Sequence, residues 1–456
     1  MAELAFLSLR QAGALMARGE TSSLDLVDAC LKQIDRFEGR LKAWVVVDAD
    51  GARAQARRLD EERTRGAVRG PLHGIPIAIK DIIDVAGFAT LGGSPLRAGH
   101  IARRDAAVVS RLRQAGAVIL GKTVTTQFAS FDPPPTHNPW DLGRTPGGSS
   151  SGSAAALALG MCLASIGSQT GGSITRPAAY CGVAGLKPTY GRVSLDGILP
   201  LAFHMDHPGP FSHEVGDLAT LLTVIAGYEP SDPFSVDAPV ETYESALSVS
   251  EPPRLRVLTG FFQEAASPDV RKSIDAAVQR LRDAGAIIDE APPPPSFATV
   301  IASHRTVMAV DALMHHRENF PARRDQYGPQ IGSLLDEAIA TDVRAYSAAL
   351  MHRQQFTREL EAMMEGCDAL VCPAATTTAP TPETTGDPRF NAPWSFAGVP
   401  TVCFPCGLGG DGLPTSLQLI SRRWTEGRLL AVSAWSQQKI GFSARPKLLA
   451  EPVAAG

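Results

Sequence analysis

Apolar residues recur at helical spacing near the start of the chain. Between Leu24 and Phe37 every third or fourth residue is apolar, and Thr21–Ser23 supplies capping hydroxyls just before them. This pattern predicts an amphipathic helix. A short apolar strand at Ala43–Val47 and a charged, Ala-rich helix at Ala49–Arg65 are predicted to follow. No reactive side chains stand out in these elements, so we assign them to packing.

The pattern changes at Gly74–Asp81, which indicates a turn followed by a strand that ends in Lys80. Four isoleucines between positions 77 and 83 surround this lysine, as in strands that are buried on both faces. Burial disfavours the charged form of an amine and lowers its pKa. Lys80 is therefore a candidate general base, and the alternative is a surface lysine at the end of a strand.

Helical and strand patterns alternate further along the chain. A helix is predicted at Asp105–Gly116, then a strand at Ala117–Leu120 that is closed by Gly121, and later a strand at Leu255–Thr259 before a helix at Asp269–Gly285. This alternation is typical of a mainly parallel sheet with helices on its faces. We expect an α/β fold with one large domain over residues 1–456, built on a mixed, largely parallel twisted sheet covered by helices on both faces.

Two Gly-Gly-Ser turns, Gly147–Ser149 and Gly171–Ser173, flank an apolar run at Ala154–Leu163 that is predicted to be a buried helix. A flexible linker would not open into a buried helix. The lysine and hydroxyl residue of a phosphate-binding loop are missing, and so is the GxSxG pattern of hydrolase elbows. The turns therefore present Ser149 and Ser173 on tightly bent backbone, and the N–H groups from Thr170 onward can hold an oxyanion.

The segments GGSSSGSAAA and QTGGSITRPAAYCGVAGLKPTYGRVS, with GIPIAIKD upstream, resemble the amidase signature family of serine amidohydrolases. The resemblance extends in weaker form over nearly the whole chain. It implies a signature core over about residues 72–215 and a variable region over about residues 297–364. That region and the loop near Asp132–Pro135 are expected to border the substrate entrance.

The resemblance also implies a role for each matched residue. Ser173 corresponds to the nucleophile, Ser149 to a bridging serine entered by a cis peptide bond, and Lys80 to the general base. The oxyanion hole corresponds to four backbone N–H groups, those of Thr170, Gly171, Gly172 and Ser173. A serine hydroxyl becomes a good nucleophile only when a base takes its proton, and lysine is a base only when neutral.

Two positions beside the nucleophile depart from the family pattern. Gln169 stands where Asp is common, and Arg176 lies one place later than the usual arginine, with Thr175 in that place. Neither change removes a member of the predicted triad. An ion pair between carboxylate and arginine is therefore not expected here.

Composition narrows the remaining possibilities. The chain has 456 residues, a net charge of -4 and 44% hydrophobic residues, without the basic stripe of a nucleic-acid-binding protein. We expect a cytoplasmic protein, because the N-terminus lacks signal-peptide features and no apolar run reaches membrane-spanning length. The pair Cys403 and Cys406 lacks a second pair, and His204, His207 and His213 are loosely spaced, so we expect neither a metal nor a cofactor.

We therefore expect a stand-alone amidase that forms an acyl-enzyme on Ser173. Its substrate would be a small-molecule amide, or a carbamate (urethanase activity), aryl amide or ester, and the enzyme would be a monomer or homodimer. One alternative is the A subunit of a tRNA-dependent amidotransferase, a glutaminase. The chain lacks that subunit's usual Met-Tyr-Leu-x-Asp and Pro-Ala-Asn-Leu-Ala-Gly patterns. Another is a silent scaffold, against which the intact triad argues.

Overall fold

A computed structural model describes residues 2–451, and the strands in this range form one sheet. In chain order the strands are β1 Trp44–Val47, β2 Pro76–Lys80, β3 Val118–Thr123, β4 Ala164–Gln169, β5 Ala184–Lys187, β6 His207–Ser212, β7 Arg254–Leu258, β8 Ile287–Ala291, β9 Ala369–Pro373, β10 Thr401–Leu408 and β11 Pro414–Ile420. Across the sheet their order is β1-β3-β2-β4-β6-β5-β10-β11-β9-β7-β8.

Strand directions are mixed. The runs β3-β2-β4 and β9-β7-β8 are parallel, and the strands between these runs pair antiparallel, as does the edge strand β1 with β3. Every residue of β2, β3 and β4 is buried. The predicted α/β fold, with helices covering a mixed sheet, is confirmed.

The helices connect and cover the strands. They are α1 Leu9–Ala17, α2 Ser23–Leu41, α3 Ala49–Thr64, α4 Ala107–Gln114, α5 Ser151–Ala158, α6 Thr175–Cys181, α7 Val215–Ile225, α8 Phe261–Glu264, α9 Pro268–Asp283, α10 Val300–His316, α11 Pro329–Ala340, α12 Val343–Met363, α13 Ala392–Ala397 and α14 Glu426–Ile440. Short 3-10 helices lie at Ala2–Phe6, Pro95–Arg97, Gln127–Ala129, Tyr243–Ala246, Pro295–Thr299, Arg324–Gln326 and Lys447–Ala450. None of the helices within residues 2–451 is long and apolar enough to cross a membrane.

Helix α2 confirms the first prediction and shows why the sequence starts a helix there. The Ser22 hydroxyl accepts from the Asp25 N–H at 3.1 Å, and the Asp25 carboxylate accepts from the Ser22 N–H at 3.0 Å. This reciprocal capping box satisfies two N–H groups that have no partner within the helix. The apolar face, including Val27 and Phe37, is buried in the core.

The predicted ends of two elements, β3 and α5, were wrong by more than two residues, each because of one glycine. β3 continues past Gly121 to Thr123, since Gly121 sits at φ 149° in a bulge where a Cβ would lie 2.1 Å from the Val46 carbonyl oxygen. Helix α5 begins at Ser151 and ends at Ala158, short of the predicted Leu163. Gly160 adopts φ 69° there and turns the chain toward β4.

The parallel run β3-β2-β4 positions the candidate site. Because the carboxyl ends of parallel strands meet at one edge, the last residue of β2, Lys80, lies beside the end of β4. The chain leaves β4 through Gln169 and turns at once into α6. Crevices at such carboxyl edges are where open α/β sheets bind ligands.

Candidate active site

Lys80 is completely buried, and two serine hydroxyls surround its amine. Its Nζ donates to Ser149 Oγ at 2.7 Å and to Ser168 Oγ at 2.9 Å. Burial lowers the pKa of Lys80 to about 7, and the negative charge of Asp206 acts in the opposite direction. A substantial fraction of Lys80 is therefore neutral at neutral pH, as a general base requires.

Ser149 lies in the tight backbone between Thr145 and α5. The Gly148–Ser149 peptide bond is cis, as the resemblance implied. Gly147 has φ 82°, and a Cβ at this position would lie 3.0 Å from both the Pro177 Cα and the Tyr180 ring. This approach leaves no room for a side chain, so the first Gly-Gly-Ser turn depends on glycine.

Ser173 ends a short turn between β4 and α6, which we call the nucleophile turn (Thr170–Ser173). The carbonyl oxygen of Ser173 accepts from the Ser150 N–H at 3.3 Å, so the backbone around Ser149 and Ser150 runs against this turn. The structure thus brings together Lys80, Ser149 and Ser173, which are separated along the chain. Their individual roles in catalysis stay predictions.

The nucleophile turn carries backbone N–H groups that have no partner in the described part of the chain. Within residues 2–451, no hydrogen bond is formed by the backbone N–H groups of Gly171, Gly172 or Ser173. A Cβ at Gly172 would lie 2.8 Å from Asn391 Oδ1, so only glycine fits at this point of the turn. Unpaired backbone N–H groups beside a serine are suited to an oxyanion.

A family model described as "Amidase" matches residues 25–430. The chain belongs to the amidase signature family. Three relatives show how broad this family is. The first is the A subunit of glutamyl-tRNA(Gln) amidotransferase from Chloroflexus aurantiacus. It is 36% identical to this chain over an alignment that covers 98% of this chain and 100% of the relative.

Two solved structures resemble this amidase closely in fold. One belongs to a vestigial protein complex that bears on the evolutionary origins of an s-triazine catabolic enzyme; its TM-score is 0.90 at 32% identity, covering 96% of this chain and 100% of that chain. The other is a peptide amidase with the competitive inhibitor chymostatin, with a TM-score of 0.87 at 33% identity, covering 96% of this chain and 98% of that chain.

Arg176, one of the two departures from the family pattern, supports the other serine turn of this amidase. It is buried, and its Nη2 donates to the Gly148 carbonyl at 2.8 Å and to Thr385 Oγ1 at 3.3 Å. Gly148 immediately precedes Ser149. The arginine therefore holds the backbone that carries Ser149, and the side chain of Gln169 is bonded to other groups.

Three residues at the site of this amidase were not assigned a role from sequence. Ser168 is the second partner of Lys80. Asp206 accepts from Thr170 Oγ1 and, through Oδ2, from the N–H groups of Leu201 at 2.8 Å and Ala202 at 3.1 Å. Burial raises the pKa of Asp206 to about 6. These residues thus support Lys80 and the start of the nucleophile turn.

His304 is the third of these residues and arrives from a distant helix, α10. Its Nε2 lies 3.0 Å from the Thr170 carbonyl oxygen, and burial lowers the pKa of His304 to about 4, so the ring is neutral near pH 7. Ser168 is two positions before Thr170, in the strand that leads into the turn. Its place in the sequence was therefore enough to suggest a role at the site. Nothing in the sequence indicated that α10 reaches the turn.

The histidines and cysteines that suggested metal sites lie in separate environments. His204 Nδ1 contacts the Asp311 carboxylate at 3.0 Å, His207 Nδ1 lies 3.1 Å from the Gln169 carbonyl oxygen, and the His213 ring packs near Phe6. The cysteines of the Cys403–Cys406 segment are buried along β10. Across residues 2–451, no three His, Cys, Asp or Glu side chains are grouped to hold a metal ion.

The predicted entrance segments meet close to Ser149. The Asp132 carboxylate accepts from the N–H groups of Gln330 at 2.9 Å and Ile331 at 3.0 Å, which ties the proline loop to the start of α11. A cavity of about 670 Å³ lies between them, lined by residues that include Val124, Thr126, Pro133, Pro134, Pro135 and Tyr327. The Thr126 N–H donates to the Ser149 carbonyl at 3.3 Å.

Proposed function

We propose that this amidase is a stand-alone hydrolase that cleaves a carboxylic amide C–N bond through an acyl-enzyme on Ser173. The observation that carries the proposal is that the buried Lys80 amine lies 2.7 Å from Ser149 Oγ. The backbone that carries Ser149 in turn contacts Ser173, because the Ser150 N–H donates to the Ser173 carbonyl. A neutral amine in contact with a serine relay is what a serine nucleophile needs in the absence of a histidine.

The reaction follows from these contacts in two stages. Neutral Lys80 takes the Ser149 proton, while Ser149 takes the proton of Ser173, and Ser173 Oγ forms a bond to the amide carbon. The N–H groups of the nucleophile turn stabilise the oxyanion. The C–N bond then breaks as the amine leaves with a proton returned through Ser149.

Water completes the cycle on the acyl-enzyme. It adds to the ester carbon while its proton passes through Ser149 to Lys80, and the carboxylic acid is released with Ser173 again protonated. Lys80 and Ser149 handle every proton transfer in these steps, so the proposed chemistry needs no further acid or base. The same steps act on a carbamate or an aryl ester, whose carbonyl carbon is attacked in the same way.

The cavity beside Thr126 adjoins the backbone of Ser149, although Lys80, Ser149 and Ser173 do not line it, and its wall favours a substrate with a sizeable apolar group. Val124, Tyr327 and three consecutive prolines contribute apolar wall. Pockets of about 300–1,000 Å³ accommodate small organic ligands. We therefore favour anilides and aryl carbamates over short aliphatic amides.

A second candidate is the glutaminase subunit of a tRNA-dependent amidotransferase. The identity of 36% to such a protein over nearly the full length of both chains favours it. Against it, the segment TTGDPRFNAPWSFAGVP stands directly before β10, in place of the usual patterns of that subunit. The two candidates differ in their need for partner chains.

Hydrolysis by the purified single chain distinguishes the candidates. We expect turnover of an anilide or an aryl carbamate without any partner. An aliphatic amide and glutamine are tested beside them, and chromatography measures the product released. Turnover should saturate with substrate and disappear in Ser173→Ala. Release of ammonia from glutamine alone, or inactivity toward the whole panel, would favour the amidotransferase candidate.

A further inference from the structure

We propose that Gln169 is a positioning residue that holds the nucleophile turn with an uncharged, directional hydrogen-bond network. The inference rests on one part of the proposed function, the assignment of Ser173 as the attacking serine. Gln169 is the last residue of β4 and is completely buried, together with its partners Thr175 and Ser395.

The carbonyl end of the Gln169 side chain binds the start of α6. Gln169 Oε1 accepts from the Ile174 N–H at 2.9 Å, the Thr175 N–H at 2.9 Å and the Thr175 hydroxyl at 3.1 Å. Two backbone donors fix this end as the oxygen, since an NH₂ group cannot accept from them. The side chain therefore spans the turn from the residue before it to the two residues after Ser173.

The NH₂ end extends the network to the middle of the turn. Gln169 Nε2 donates to Ser395 Oγ at 3.1 Å, and Ser395 Oγ donates to the Gly171 carbonyl at 3.1 Å. A hydroxyl has only one hydrogen. Because Ser395 uses its hydrogen to donate to the Gly171 carbonyl, it can only accept at its contact with position 169. An amide supplies both the acceptor for α6 and this donor.

A carboxylate at position 169 could not keep all of these bonds. Ionised, it only accepts, so the single Ser395 hydrogen would turn toward it and leave the Gly171 carbonyl unpaired. Protonated, it has one O–H donor and restores the network. The two neighbouring residues agree with this interpretation. The hydroxyl of Thr175 donates to Gln169, whereas Arg176 bonds to Gly148 and Thr385 and so does not contact the Gln169 side chain.

Complete burial makes an ionised carboxylate at position 169 unfavourable, and this outweighs the attraction of the nearby cations. The titratable or charged groups on the surrounding elements include Lys80, Arg176, Tyr180, Lys187, Asp206, His207, His304 and Arg353. Burial lowers the pKa of His207 and of His304, so both rings are neutral near pH 7. Asp206, when ionised, repels a second carboxylate. A glutamate introduced at this position is therefore expected to titrate well above its ordinary range.

The test uses phosphonylation of Ser173, which requires no knowledge of the substrate. With an alkyl fluorophosphonate, the Ser173 Oγ–P bond forms, the P–F bond breaks, fluoride leaves and the serine proton passes to Lys80 through Ser149. The second-order rate is measured by intact mass spectrometry between pH 6 and 9 on the full chain. The variants are Gln169→Glu, Thr175→Val and Ser395→Ala. Ser433→Ala, a buried hydroxyl in α14, is the control, and Ser173→Ala gives the background.

We expect Gln169→Glu to label about 10- to 100-fold more slowly than wild type at pH 9, with the ratio recovering toward pH 6 as the introduced carboxylate becomes protonated. Thr175→Val and Ser395→Ala should slow labelling by about 10-fold at every pH, because each removes one bond of the network. Ser433→Ala should match wild type. Circular dichroism monitors folding of each variant.

Specific outcomes overturn the inference. Wild-type labelling rates in both Thr175→Val and Ser395→Ala would do so even if Gln169→Glu fails to fold. A Gln169→Glu defect equal at pH 6 and pH 9 would show a steric effect and reject the directional network. If Ser173 labels as expected but no amide or carbamate is turned over, the proposed function fails and this inference stands. Absence of wild-type labelling at Ser173 would reject both.

Discussion

Replacing Ser173 with alanine should lower kcat for the preferred anilide or carbamate by about 10⁴- to 10⁶-fold. Without Oγ no acyl-enzyme forms, and the remaining turn N–H groups can only assist direct attack by water. Substrate binding should change little, because the side chain removed is small and the carbonyl-binding N–H groups remain. Steady-state rates and an acyl-enzyme search by mass spectrometry on quenched reactions measure both effects.

Ser433→Ala provides the matched control for that loss. Its hydroxyl is buried and forms no hydrogen bond with the other described residues, so its removal tests for general damage by a serine-to-alanine change. We expect kcat and KM to stay close to wild type. Residual activity of Ser173→Ala above about a tenth of wild type would contradict the assignment of the nucleophile.

The second large effect concerns Lys80 and pH. Since burial lowers the pKa of Lys80 to about 7 and only the neutral amine accepts a proton, kcat/KM should rise with pH and reach a plateau above that value. Below it, activity should fall about tenfold per pH unit as the amine becomes protonated. Lys80→Met should lower kcat/KM by about 10³-fold or more on the plateau and abolish this pH dependence.

Lys187→Met controls for the loss of a buried lysine as such. Lys187 is also fully buried, and burial lowers its pKa, but its amine bonds to the carbonyls of Pro188 and Val399. The variant should keep the midpoint of the wild-type pH profile. A wild-type profile that is flat between pH 5 and 9, or a Lys80→Met profile with the same midpoint as wild type, would argue against Lys80 as the base.

The sequence was informative where local pattern determines structure. The isoleucines around Lys80 predicted a strand buried on both faces, and the glycines predicted sharp turns at Ser149 and Ser173. Both features depend on neighbours within a few residues. The Gly-Gly-Ser segments also predicted the family, because their residue types at these spacings are highly specific to it.

Contacts between distant segments were beyond such reasoning. Ser395 reaches the nucleophile turn from α13 and His304 from α10, both far along the chain from the turn. The bulge at Gly121 was interpreted as a strand end, because a glycine in a strand fits either interpretation until its partner strand is known. Strand order and helix docking determine these contacts, and neither leaves a periodic signal.

The buried amine also carries a cost in folding free energy. In the unfolded chain the pKa of Lys80 returns to 10.5, whereas burial holds it at about 7 in the folded protein. At pH 7 the difference disfavours the native state by on the order of 4 kcal/mol, against a typical total stability of about 5–15 kcal/mol. The unfolded chain binds more protons between these two pKa values, so the penalty shrinks as pH rises through this window. Urea unfolding should therefore show wild type gaining about 3 kcal/mol relative to Lys80→Met between pH 7 and pH 9.5, and equal gains in both proteins would mean that Lys80 stays charged in the fold. The proposed general base is thus a source of instability that the rest of the core must offset.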